Sequence, residues 1–93
     1  MEKKPLIPRL ANVIQIADKL VQNGLLKING NTAKLHQEVG FRKSNPESFF
    51  KNIYLYMVAK RYIKDKDEVF FVSIESNELR ATYSLSDGFK RFD

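Results

Sequence analysis

The sequence has no cysteine. That excludes disulfide staples, thiolate nucleophiles and cysteine-based zinc sites, so stability has to come from packing. The absence fits a reducing compartment. There is one histidine, His36, too few for a histidine-rich metal centre, and its place beside Gln37 and Glu38 suits a surface or capping role. The four glycines, Gly24, Gly30, Gly40 and Gly88, never cluster into a phosphate-cradling loop. Asp65, Asp67 and Glu68 alternate with Lys64 and Lys66, the pattern of a charged loop and not of a cation site. No stretch approaches the roughly 18 apolar residues of a membrane span, and the basic segment Met1 to Pro8 lacks the apolar core of a leader. The expectation is a cytoplasmic, non-enzymatic protein with no cofactor, no metal and no membrane partner.

What is present is a foldable chain with an uneven charge. Ninety-three residues, 43% of them hydrophobic and 12% aromatic, make a single domain over residues 1–93 with one modest core. Residues 1–8 read as a basic arm, punctuated by Pro5 and Pro8, and residues 86–93 as a tail. The formal net charge is +5, and residues 42–66 carry all of it, with seven bases against two acids. The other 68 residues balance at nine and nine. A basic field on an otherwise neutral body points to a polyanion or an acidic protein surface as partner.

Spacing sets the elements. Leu10, Val13, Ile14, Ala17, Leu20 and Val21 form one apolar stripe on a helix over about residues 9–23, ended by Gly24. Residues 25–28 make a short strand, and Asn29-Gly30 turns the chain. Asn31 or Thr32 caps a second, short helix over 33–39 that Gly40 stops. Ser44 and Glu47 have capping-box spacing, and Pro46 suits the first turn of a third helix over 46–64. Residues 69–75 and 79–85 alternate as two strands joined by a turn in which Asn77 takes the left-handed position. Phe89 and Phe92 are spaced to pack back as one helical turn.

This order, α-β-α-α-β-β with a C-terminal hairpin, resembles the winged helix-turn-helix family over residues 9–85. The segment Ala33-Lys34-Leu35-His36-Gln37-Glu38-Val39-Gly40-Phe41 is similar to the first helix and turn of that motif, with its small residue, Leu and apolar-Gly pair. The resemblance implies an α+β, winged-helix-like fold. It also implies a transcriptional regulator that reads the major groove of double-stranded DNA with helix 46–64.

On that helix Ser48, Lys51, Asn52 and Leu55 share one side. Lys can donate to guanine, Asn can pair with adenine, and Leu can meet a thymine methyl. Arg42, Lys43, Ser44 and the capped helix start can grip phosphate, as can Arg80 near the hairpin tip. Lys3, Lys4 and Arg9 would add a flexible basic arm. Tyr54, Tyr56, Ala59 and Tyr62, with Leu55, offer a protein-facing patch instead, either for a homodimer or for another chain. That second reading is an inhibitor or adaptor of phage or mobile-element type. It would bind a nucleic-acid-processing protein or ribonucleoprotein, such as a CRISPR effector.

Overall fold

Apolar residues recurring every three or four positions, and others alternating every second one, sort the chain into a helical layer and a sheet. The computed structural model describes residues 6–36, 39–40 and 45–92, with side chains from Ala11 onward. The elements are α1 (Leu6–Gln22), β1 (Leu26–Asn29), β2 (Thr32–Leu35), α2 (Pro46–Ala59), β3 (Val69–Ser73), β4 (Leu79–Ser84) and β5 (Gly88–Arg91). The domain is α+β: two helices and a mixed five-stranded sheet in the order β1-β2-β3-β4-β5. β1 and β2 form one antiparallel hairpin, and β3, β4 and β5 form an antiparallel meander. β2 and β3 run parallel. A parallel pair needs a long crossover, which the segment containing α2 supplies.

The first helix ends as its sequence suggests. Gly24 sits at φ +75°, the Gly24 N–H donates to the Val21 carbonyl, and the Leu25 N–H donates to that of Leu20. This is a Schellman reversal, which caps carbonyls the helix would leave unpaired. In the next turn Gly30 takes φ +60° at the first position of a two-residue loop, with Asn29 and Thr32 paired on either side. Asn77 takes φ +61° in the β3–β4 turn, as its position predicts.

α1 begins at Leu6, inside the segment 1–8 expected as an arm, and three further elements differ from expectation. Residues 32–35 are a strand and not a capped helix. The side chains of Ala33, Lys34 and Leu35 favour helix, but β2 is paired on both sides, to β1 and to β3, and Ala33 and Leu35 are fully buried. Tertiary pairing overrides propensity. The order is therefore α-β-β-α-β-β-β, and among the described residues no helix lies between β2 and α2. Second, α2 stops at Ala59, short of residue 64. Arg61 adopts φ +64°, and Arg61 N–H to Val58 and Tyr62 N–H to Met57 repeat the Schellman pattern without a glycine. Third, the tail is strand β5 and not a helical turn. Gly88 at φ +74° and the Asp87 N–H donating to Ser84 Oγ at 3.0 Å turn the chain back along β4.

Both helices cover one face of the sheet. Phe50, fully buried, lies 4.5 Å from Phe71 and stacks on Phe89 at 5.2 Å, centroid to centroid. Tyr54 meets Tyr83 at 5.0 Å. Leu26, Ala33, Leu35, Val69 and Ala81 complete this inner face. α1 is tied to α2 through Asp18, which accepts from the Tyr56 hydroxyl at 2.8 Å and lies 3.7 Å from Lys60.

Candidate nucleic-acid interface

Among the described residues, the sequence-derived nucleic-acid site residues fall on α2 and at the start of β4. Asn45, not Ser44, caps α2: its side chain accepts from the Ser48 N–H at 3.4 Å, and Pro46 follows it. Arg42, Lys43 and Ser44 lie outside the described residues, as do Lys3 and Lys4 and the side chain of Arg9. On α2, Ser48 and Lys51 are exposed and Leu55 is at the margin, 36% exposed. Asn52 is half-buried and, with Ser48, lines a groove of about 320 Å³ against Val13, Ile16 and Ala17 of α1. A neighbouring helix therefore flanks the intended base-reading edge. Arg80 is the bulged residue of β4, between the pairs Phe71–Ala81 and Val72–Leu79.

The protein-facing patch divides in the same way. Tyr54 and Tyr56 are 1% exposed and belong to the core, a correction to their reading as surface groups. The Tyr54 hydroxyl donates to the Asp65 carbonyl and that of Tyr56 to Asp18. Burial raises both phenol pKa values above 10.0, helped by the Asp65 charge at Tyr54 and by the Asp18 hydrogen bond at Tyr56. Helical spacing alone missed this, because α2 is apolar around more than half its circumference. Ala59 and Tyr62 are exposed, Tyr62 at 46%.

Sequence reading missed the other face of the sheet, which neither helix covers. Strand alternation opposite the inner residues places two adjacent cross-strand rows there. One row runs Lys27, Lys34, Val72 and Leu79; the next runs Asn29, Thr32, Phe70, Thr82 and Lys90. The Phe92 N–H bonds to the Arg80 carbonyl at 2.9 Å, so the β4–β5 ladder continues and Phe92, 55% exposed, joins this face. No carboxylate occupies a strand position on it. The nearest in sequence, Glu68, lies one residue before β3.

Lys27 and Lys34 are direct cross-strand partners, an arrangement of like charges that costs about 0.2–1 kcal/mol. Neither has a carboxylate partner among the described residues. Among the described residues Lys90 pairs with Asp87, at 4.0 Å and exposed. The signal available in sequence was the alternation of Lys27, Lys34 and Lys90 with apolar neighbours, but it acquires meaning only with the register.

Among the described residues no group of three or more His, Asp or Glu side chains is placed to hold a metal, and no helix is long and apolar enough to cross a membrane. His36 Nε2 lies 2.8 Å from a Glu75 carboxylate oxygen, a surface pairing. No protein-family model, curated protein or solved structure matches the chain.

Proposed function

We propose that this is a small non-enzymatic nucleic-acid-binding protein. The observation that carries the reading is the helix-free sheet face, whose strand positions hold Lys27, Lys34 and Lys90 and no acid. Facing lysines with no carboxylate partner among the described residues favour a polyanion, whose phosphates relieve the repulsion while releasing condensed cations. The test is a salt titration of binding to random duplex DNA, single strands and structured RNA. Affinity should fall log-linearly with salt, by about 0.7 to 0.9 in slope for each phosphate neutralised. Absence of binding to all three at 50 mM salt ends the reading.

Two rivals have their own support. The winged-helix reading of a DNA-binding regulator rests on Ser48 and Lys51 exposed near the capped start of α2, although the segment resembling the motif's first helix begins as strand β2 and strands β3 and β4 lie inside the sheet. It requires Lys51→Ala with Asn52→Ala to relax sequence preference on duplex DNA, at about 1–3 kcal/mol per specific contact. The adaptor reading, aimed at a nucleic-acid-processing protein, rests on the exposed strip of Leu55, Ala59 and Tyr62. It requires Tyr62→Ala to abolish capture of one protein while leaving salt-sensitive DNA binding intact.

A further inference from the structure

We infer that the helix-free sheet face is a docking surface for an unpaired stretch of nucleic acid, with bases laid on Phe70 and Phe92 and phosphates held by Lys27, Lys34 and Lys90. The inference rests on the nucleic-acid reading above and narrows it to one surface and one strand state.

Three observations carry it. The first is the mixture on one face. Phe70 is half-buried on the central strand β3, and Phe92 is 55% exposed beside β5. Cations lie on both flanks, Lys27 and Lys34 on β1 and β2 and Lys90 on β5. Aromatic platforms interleaved with cations are what a splayed single strand needs, because every base offers a π-face and every link a charge. The second is width. Five strands at about 4.8 Å spacing make a face about 19 Å across. A major groove about 12 Å wide admits a helix or a two-stranded ribbon but not that sheet. Paired, stacked bases also offer no free face to a phenylalanine. The third is charge. Lys27 and Lys34 oppose each other across the hairpin with no acid between them. An acidic peptide would satisfy those lysines but gains nothing specific from rings set about two strands apart.

The experiment uses the intact chain and fluorescein-labelled twelve-residue oligonucleotides: oligo(dT), oligo(U) and a matched duplex, with polyglutamate as competitor, over 50–200 mM NaCl. The expected result is single-strand binding at least tenfold tighter than duplex binding. Phe92→Ala, at a largely exposed position, should weaken it roughly tenfold or more. The double variant Lys27→Gln, Lys34→Gln should lower the single-strand salt slope by about 1.4. Ultraviolet cross-linking should map to Phe70 or Phe92. The DNA and RNA arms then identify which sugar the surface prefers. If single strands bind but both variants match the parent while Lys51→Ala weakens binding, the docking surface is overturned and the broader reading stands. Preference for duplex overturns the surface as well. Binding of polyglutamate alone overturns both the surface and the broader reading.

Discussion

Arg61 holds φ +64° at the end of α2, where a left-handed residue closes the helix. A side chain there costs about 1–2 kcal/mol, part of which glycine returns as extra freedom in the unfolded chain. Arg61→Gly is therefore expected to stabilise the domain by up to about 1 kcal/mol, seen as a rise of several degrees in melting temperature. The buried Gly40 works the other way. A Cβ added there would sit 2.7 Å from the Phe49 ring and 3.3 Å from that of Phe50. Gly40→Ala should cost about 1–3 kcal/mol in denaturant unfolding, as overpacking does. Tyr54 and Tyr56 bring in pH. Their phenols hold protons in the fold above the ordinary 10.0. Their contribution is complete below about pH 10 and declines as pH rises past it, where the unfolded chain ionises first. Melting curves from pH 8 to 11 should show this loss, and a Tyr54→Phe, Tyr56→Phe variant should show less of it.

Elements were legible where local chemistry and tertiary demand agree. The Gly24 stop, the turn at Gly30, Pro46 and the Asn77 turn each mark a boundary by a backbone need that short range alone decides, although Asn29, expected in the turn, ends β1. β2 was illegible because Ala33, Lys34 and Leu35 are good helix formers and the alternation lasts only four residues. Its partner β3 lies more than thirty positions away, beyond any local signal. β5 was illegible because Phe89 and Phe92 are spaced as in one helical turn, yet in the sheet they serve opposite faces, Phe89 against Phe50 and Phe92 outward. Hydrogen exchange tests the strand assignment. Amides of β2, bonded on both sides, should exchange far more slowly than those of edge strand β1, and more slowly than a short, half-exposed helix would allow.

At the scale of the whole molecule, linear charge counting and strand register single out different cations. Of the bases in residues 42–66, Lys51 alone lies within α2, while Lys60, Arg61, Lys64 and Lys66 follow it beside Asp65 and Asp67. The cations that share one surface, Lys27, Lys34 and Lys90, come from the balanced remainder and meet only through strand register. The outermost strands extend this. β1 ends the sheet with Lys27, and β5 ends it with Lys90 and Arg91. Unpaired strand margins invite another chain to join by backbone bonding, and positive side chains deter it. Two copies brought margin to margin would repel, so light scattering at low salt should report a monomer. The same repulsion guards the folded domain against ribbon-like self-assembly at high concentration.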